Sequence, residues 1–221
     1  MPAAADSAQG SHRRADIAVV VFLAALSFAV AAAKVETAIF GAGCFWYARA
    51  TNHPLQTFQL KRSPPRASST SRRRGVEKYF RKQFDLVSTA VGYMGGTKEK
   101  PTYNDVCTGT TGHAEVLRVE YEPAKVNYAD LVEFFFRMHD PTTLNQQGND
   151  VGTQYRSVIF YTTPEQSRIA HEVKNRIQDT KIKGKIVTEI TPASNFFRAE
   201  DYHQLYLEKN PGGYCNHRLR W

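Results

Sequence analysis

Apolar and polar positions alternate along this chain in patterns that predict strands and helices from residue 35 onward. Apolar stretches of strand length lie at 35–40, 86–93, 114–121, 156–161 and 187–190. Apolar residues at helical spacing begin at Val76, after Asn127 and after Thr163, and a last helix is predicted at 199–207. Because strands and helices interleave, the pattern predicts an α+β fold in which helices pack on a face of a sheet.

The first 33 residues differ from this pattern because they contain one long apolar run. Arg13 and Arg14 precede an uncharged stretch from Ile17 to Ala33, which ends in three alanines. This order is typical of a secretory signal peptide that is cleaved near the alanines. The 17-residue run also reaches the lower limit for crossing a bilayer, so a membrane anchor is the alternative. We therefore expect a secreted or membrane-anchored protein, with a mitochondrial or cytoplasmic location as the alternative.

A second unusual segment, residues 47–74, interrupts the ordered pattern. Its seven basic residues and no acidic residue carry most of the formal net charge of +8. It is poor in apolar residues and contains Pro64, Pro65 and a run of serine and threonine, so it is predicted to be a disordered insertion. Because the rest of the chain is near neutral, no nucleic-acid partner is expected. Membrane contact is expected only if residues 1–33 are not cleaved.

The composition of the chain fits one folded domain. The 221 residues are 42% hydrophobic and 23% charged, which is the balance of a globular protein and excludes wholesale disorder. We expect a single domain over 34–221, a ferredoxin-like two-layer α/β sandwich with a mixed sheet and extended loops. Three cysteines without a C-x-x-C pair exclude a disulfide scaffold and give no support to a structural zinc site.

The clearest candidate for chemistry is Cys44, which follows the first predicted strand and two glycines. At the point where a helix would begin, free backbone N–H groups carry partial positive charge and stabilise a thiolate. Phe45 and Trp46 supply an apolar wall beside the sulfur. A buried structural cysteine is the alternative interpretation, since most lone cysteines are of that kind.

The stretch 43–46, Gly-Cys-Phe-Trp, resembles the active-site signature of the A-type peptide methionine sulfoxide reductases. Further blocks that resemble this family follow in the family's order, at 75–77, 92–96, 101–103, 112–115, 148–157 and 199–204. The resemblance runs from Ala38 to Cys215 and is interrupted by the insertion. It implies an enzyme that reduces methionine S-sulfoxide, free or in proteins, to methionine, and so repairs oxidative damage.

This reaction needs a soft nucleophile at sulfur and a proton donor at oxygen, because the sulfoxide oxygen is a poor leaving group. Cys44 is the candidate nucleophile, and the resemblance places Glu115 as the acid. A carboxyl held among apolar and tyrosine side chains has a raised pKa, which keeps it protonated at neutral pH. An isolated glutamate would otherwise be read as a solvated strand residue.

The resemblance also assigns the neighbouring side chains. Tyr103 and Tyr155 match tyrosines whose hydroxyls point at the sulfoxide oxygen, and Asp150 matches a residue that orders water or that oxygen. Phe45 and Trp46 match the residues that hold the methyl group and favour the S epimer. Ordinary core tyrosines, a turn aspartate and core aromatic residues are the structural alternatives.

Attack by Cys44 leaves a sulfenic acid, which condenses with a second thiol. The resemblance implies that Cys215, after the glycine-rich stretch 211–214, is this resolving cysteine, and that thioredoxin or a similar dithiol then reduces the disulfide. No metal or other cofactor is expected, and the protein is expected to be a monomer. Cys107 is interpreted as a bystander thiol.

Three alternatives to this enzyme remain open from the sequence. A protein that binds oxidised methionine without reducing it is expected if the insertion disrupts the helix after Cys44. A metal-binding module would use Cys107, His113, Cys215 and His217, although their spacing matches no familiar zinc pattern. A basic-loop adaptor for nucleic acid or acidic membranes would use residues 47–74. The insertion itself is either a translated intron in a gene model or a genuine surface loop.

Overall fold

A six-stranded mixed sheet organises the structure, a computed structural model that describes residues 34–45, 76–210 and 217–221. Its strands are β1 (Glu36–Ala42), β2 (Ser88–Met94), β3 (Ala114–Tyr121), β6 (Ser157–Tyr161), β7 (Glu189–Pro192) and β8 (Phe197–Arg198). Their spatial order is β7-β6-β1-β3-β2-β8. Neighbouring strands are antiparallel except β6 and β7, which are parallel. A separate hairpin joins β4 (Gln146–Gln147) to β5 (Asp150–Val151).

The helices are α1 (Val76–Gln83), α2 (Tyr103–Cys107), α3 (Tyr128–Met138), α4 (Pro164–Thr180) and α5 (Tyr206–Lys209), with a 3₁₀ turn at Thr153–Tyr155. Two helix starts were readable in the sequence. The Asn127 side chain accepts the Ala129 N–H at the start of α3, and Thr163 accepts the Gln166 N–H at the start of α4. Each cap satisfies a backbone donor that the helix cannot pair internally.

One face of the sheet is covered by α1, α3 and α4. Alternation along β1 places Ala38, Phe40 and Ala42 in this main core, whereas Ile39 belongs to a smaller cluster. Phe40 is fully buried, and its ring centroid lies 5.3 Å from that of Phe80 in α1 and 5.2 Å from that of Phe135 in α3. These aromatic contacts therefore join the central strand to two helices.

Within the described part of the chain, the smaller cluster closes the other face without a helix. Ile39, Val116 and Phe160 from three adjacent strands meet Phe196 from the loop before β8. The guanidinium of Arg118 lies 4.7 Å from the centre of the Phe196 ring, which adds a cation–π contact to the apolar packing. The predicted α+β sandwich with a mixed sheet is therefore confirmed, with helices on one face and extended loops on the other.

The five predicted strands correspond to β1, β2, β3, β6 and β7 within a few residues, but the predicted helix at 199–207 is wrong. Residues 201–205 form turns, and helix forms only over α5. Leu205 takes a positive φ of 54°, which ends any helix that would cross it. The short α2 was not predicted. Its start is a capping box between Thr102 and Asp105, which a search for that motif would have found.

All described residues belong to one compact unit, Ala33–Trp221. Within the described ranges, no helix combines the length and the apolar character that crossing a bilayer requires. The predicted leader at 1–33 and the predicted insertion at 47–74 lie outside the described residues, as do the site candidates Trp46 and Cys215.

Replacing Phe40 by alanine is expected to lower the free energy of unfolding by about 3–5 kcal/mol, because a fully buried ring between two aromatic neighbours leaves a cavity. Urea denaturation with an unchanged m-value measures this loss. Val87→Ala is the matched control, since Val87 is 50% exposed and its loss should stay within about 0.5 kcal/mol. A loss below about 1 kcal/mol for Phe40→Ala would contradict the placement of this core.

Candidate active site

Cys44 lies just beyond the end of β1, between two glycines and the buried Phe45. Gly43 has a φ of +96°, and a Cβ there would lie 2.6 Å from the Cβ of Gln147. Only glycine combines that backbone conformation with so close a neighbour. The chain therefore turns sharply at Gly43 and places Cys44 at the edge of the sheet, where it is 9% exposed. The helix predicted to follow Cys44 lies outside the described residues and stays a prediction.

Glu115 on β3 is the carboxyl next to this turn. It is 1% exposed, and its Oε2 accepts the backbone N–H of Phe45 at 3.0 Å. Its Oε1 has no hydrogen-bond partner of ordinary geometry in the described part of the chain. One carboxyl oxygen therefore holds the Cys44 turn, and the other is available to a ligand.

Burial raises the pKa of Glu115 to about 8. The hydrogen bond from Phe45 and the interaction with the Cys44 side chain act in the opposite direction, while the nearby charge of Asp150 raises the pKa further. Removing a carboxylate from water favours its neutral form, and a second carboxylate has the same effect. Glu115 is therefore largely protonated at neutral pH and can donate a proton.

Two tyrosine hydroxyls reach the same region from other elements. Tyr103 opens α2 and Tyr155 ends the 3₁₀ turn. Burial raises the pKa of both above the ordinary tyrosine value, and the charges of Glu115 and Cys44 raise both further. Both hydroxyls therefore remain protonated donors within electrostatic range of the thiol and the carboxyl.

The remaining predicted residues divide into two groups. Asp150 on β5 is 6% exposed and acts electrostatically on Glu115, as described above. The structure thus brings six predicted residues together: Cys44, Phe45, Tyr103, Glu115, Asp150 and Tyr155. Trp46 and Cys215 lie outside the described residues, so their places stay predictions.

Cys107 lies closer to this site than the sequence indicated. It ends α2, and the hydroxyl of Tyr103, four residues earlier, donates a hydrogen bond to its sulfur. Burial of the sulfur raises the pKa of Cys107, although the Tyr103 contact lowers it. The bystander interpretation missed this contact because α2 was not predicted, and the four-residue spacing has meaning only on a helix.

Glu200 is a further residue to which the sequence assigned no role. Its Oε2 accepts the Tyr93 hydroxyl and its Oε1 accepts the Tyr103 backbone N–H, each at 2.9 Å. Although burial acts to raise it, these hydrogen bonds lower the pKa of Glu200. The Tyr93 ring in turn lies 5.7 Å from the Phe45 ring. An ionised carboxylate therefore connects the start of α2 to the aromatic wall beside Cys44.

The two histidines proposed for a metal module form other hydrogen bonds. His113 accepts the Gly96 N–H through Nδ1 at 3.0 Å and therefore donates from Nε2 to the Lys98 carbonyl at 2.8 Å. His217 contacts the carbonyl of Ala42 through Nε2 at 2.7 Å. Among the described residues, no group of three metal-ligating side chains comes together. These bonds give the histidines structural roles in place of metal binding.

The site defined here is a thiol-based one, in which a cysteine lies beside a protonated carboxyl and two tyrosine hydroxyls. Comparison with known proteins identifies the family. The family model for peptide methionine sulfoxide reductase matches residues 74–221. The "Peptide methionine sulfoxide reductase MsrA" of Methanothermobacter thermautotrophicus is 50% identical over 183 residues, which is 82% of this chain and 92% of that protein.

Solved structures agree with this assignment. The crystal structure of Mxr1 from Saccharomyces cerevisiae in reduced form matches with a TM-score of 0.70 and 38% identity, over 86% of this chain and 94% of that chain. Mxr1 in complex with Trx2 matches with a TM-score of 0.51 and 25% identity, over 86% and 93% of the two chains. The chain therefore belongs to the peptide methionine sulfoxide reductases, and the predicted resemblance to the A type is confirmed.

The alternative of a binding protein that has lost its activity is not supported. Residues 47–74 separate β1 from α1 in the chain, yet Cys44, Phe45 and Glu115 come together as the catalytic interpretation requires. The relatives that match most of the chain are named as reductases.

Glu115→Gln is expected to change how stability depends on pH. The folded-state pKa of about 8 lies above the ordinary value of 4.5, so the stabilisation from the bound proton is complete below pH 4.5 and is lost as pH rises through about 8. Wild-type protein should therefore lose about 3–4 kcal/mol relative to Glu115→Gln between pH 5 and pH 8. Urea denaturation across this range measures the difference, and parallel stability curves for the two proteins would refute the buried, protonated carboxyl.

Proposed function

We propose that this protein reduces the S epimer of methionine sulfoxide, free or in proteins, to methionine with Cys44 as the nucleophile. The observation that carries this proposal is the buried, protonated carboxyl of Glu115, which is hydrogen-bonded to the backbone one residue after Cys44. A soft sulfur nucleophile and a proton donor are the two groups that reduction of a sulfoxide needs. Membership of the family supports the same reaction.

In the first step, the Cys44 sulfur attacks the sulfoxide sulfur while Glu115 gives its proton to the sulfoxide oxygen. Among the described residues, the Oε1 of Glu115 makes no hydrogen bond of ordinary geometry, which suits this donation. The hydroxyls of Tyr103 and Tyr155 donate hydrogen bonds to the same oxygen, and Asp150 orders the oxygen or a water beside it. The resulting hydroxyl then moves to the Cys44 sulfur while the S–O bond and the bond between the two sulfurs break, which leaves methionine and a sulfenic acid on Cys44.

Phe45 and Trp46 form the proposed pocket for the methyl group. Phe45 is 8% exposed and is held on two sides, by Tyr93 and by His203, whose ring centroid lies 5.5 Å from that of Phe45. A rigid apolar wall that accepts only a methyl group would admit one epimer of the sulfoxide and exclude the other. The contacts of Phe45 support its share of this role.

In the second step, the thiol of Cys215 attacks the Cys44 sulfenic acid, forms a disulfide and releases water. A dithiol then reduces the disulfide by exchange, and we propose thioredoxin as that partner. The solved complex of the related Mxr1 with Trx2 supports thioredoxin in particular. The reaction as proposed uses thiols, carboxyls and tyrosine hydroxyls, so it calls for no metal or other cofactor.

We also propose that residues 34–221 form the catalytic domain, interrupted by 47–74, and that the protein acts as a monomer. The compact unit Ala33–Trp221 supports the first boundary. The apolar stretch of residues 1–33 would then direct the chain to the secretory pathway or anchor it in a membrane.

Cys44→Ser in the full chain is expected to lower turnover of a peptide containing methionine S-sulfoxide, with dithiothreitol as reductant, by at least about 100-fold. A hydroxyl is a much weaker nucleophile than a thiolate at neutral pH. Chromatography of the peptide measures methionine formation, the R epimer serves as the substrate control, and the thermal midpoint checks folding. Wild-type protein that leaves the S epimer unreduced would overturn the proposed function.

Glu115→Gln is expected to slow methionine formation by about 100-fold at pH 6.5, because general acid catalysis contributes about that much. The ratio of the wild-type rate to the variant rate should fall by about tenfold between pH 7 and pH 9, because Glu115 has a pKa of about 8 and loses its proton over this range. Taking the ratio at each pH removes the effect of thiol ionisation common to both proteins. Rapid-quench measurement of methionine gives the rates, and a ratio that does not vary with pH would argue against Glu115 as the acid.

A further inference from the structure

The last described segment, residues 217–221, is fixed to the end of α3. The Arg218 N–H donates to the Met138 carbonyl at 3.1 Å, and the Arg220 N–H donates to the Arg137 carbonyl at 2.9 Å. The Arg137 guanidinium returns two hydrogen bonds to the Trp221 carbonyl, at 2.9 and 2.6 Å. Several bonds in series hold this short segment in one register along the helix end.

His217, at the start of this segment, reaches the turn that carries Cys44. Its Nε2 lies 2.7 Å from the carbonyl oxygen of Ala42, and because a carbonyl only accepts, Nε2 carries the hydrogen. His217 is 5% exposed, and burial lowers its pKa to about 4 although the Ala42 bond acts to raise it. The ring is therefore neutral and held in one tautomer at neutral pH.

The hydrogen bond from His217 to Ala42 lies at the end of β1, beyond the part of the strand that pairs with β3. The register of β1 with β3 extends to Phe40, whereas among the described strands Ala42 pairs only with Ser157 on β6. Gly43 then turns with positive φ, and a Cβ there would lie 3.9 Å from the His217 Nε2. The imidazole thus lies beside both residues that precede Cys44.

We infer that His217 is a positioning residue for Cys44. By holding the Ala42 carbonyl, it fixes the turn through Gly43 that presents the Cys44 sulfur beside Glu115. A nucleophile reacts fast only when it is held close to its attack geometry, and small displacements of it are costly. This role rests on the proposed function of Cys44 as nucleophile.

His217 also lies close in the sequence to Cys215, the second cysteine of the proposed disulfide. Cys215 precedes His217 by two residues, as Ala42 precedes Cys44 by two residues. The segment after the proposed resolving cysteine is therefore anchored to the strand end before the nucleophile.

A single-turnover experiment in the full chain tests this role, with Cys215→Ser as the parent so that only the first step is measured. His217→Leu removes the donor, and its rate of methionine formation at saturating S-sulfoxide should fall about tenfold. The sulfoxide concentration for half-maximal rate should change by less than about twofold, because the substrate pocket is intact. His217→Gln places an amide donor near the same position and should restore the rate to within about threefold of the parent.

Val173→Ala is the matched control for loss of stability. Val173 is 4% exposed in α4 and belongs to the main core, so its truncation should lower the thermal midpoint without slowing methionine formation. A His217→Leu variant as fast as the parent, a His217→Gln variant as slow as His217→Leu, or an equal slowing by Val173→Ala would each overturn the inference. A parent that forms no methionine would overturn the proposed function and this inference together.

Discussion

The burial of one carboxyl beside one cysteine is the constraint on which this structure depends. Glu115 lies on β3, a central strand, and faces the core below the turn that carries Cys44. A carboxyl so far from water is stable only in its neutral form or with strong partners. Among the described residues, the Phe45 N–H bonds one carboxyl oxygen and the Cys44 side chain also interacts with the carboxyl, but burial outweighs both and keeps Glu115 protonated. The buried position of Glu115 therefore also determines that it is protonated and that it can act as a proton donor.

The residues around Cys44 and Glu115 come from segments far apart in the chain. Separate hydrogen bonds hold each of these segments in place. A capping box starts α2 at Tyr103, and Glu200 accepts the Tyr103 backbone N–H from a distant loop. The Gln204 side chain pairs with both backbone groups of Val91 on β2, which fixes that loop to the sheet. Rigid contacts of this kind preorganise hydroxyl donors before substrate arrives, and preorganisation is what lowers the barrier to reaction.

Residues 47–74 separate two elements that belong to the same core. Phe40 on β1 and Phe80 on α1 stack with ring centroids 5.3 Å apart, although residues 47–74 lie between them in the chain. The entropy of closing a loop grows only slowly with its length, so two segments that pack well can tolerate a long connection. The matches to relatives cover 82% and 86% of this chain, so they include residues on both sides of 47–74.

Local patterns in the sequence predicted most of the elements, and the family resemblance pointed to Cys44 and Glu115 as the two proposed reacting groups. Residues 114–121 alternate so regularly that β3 was predicted with its observed bounds, and the short blocks around Cys44 and Glu115 pointed to the sulfoxide chemistry. The same patterns failed at 199–207, where Glu200 and Gln204 bond to distant backbone groups in place of a helix. The sequence predicted a protonated Glu115 only through the resemblance, whereas the tertiary structure supplies the burial that raises its pKa. Only the tertiary structure showed that His217 reaches Ala42, 175 residues away. Burial and long-range hydrogen bonds depend on the whole packed chain, and no window of neighbouring residues contains that information.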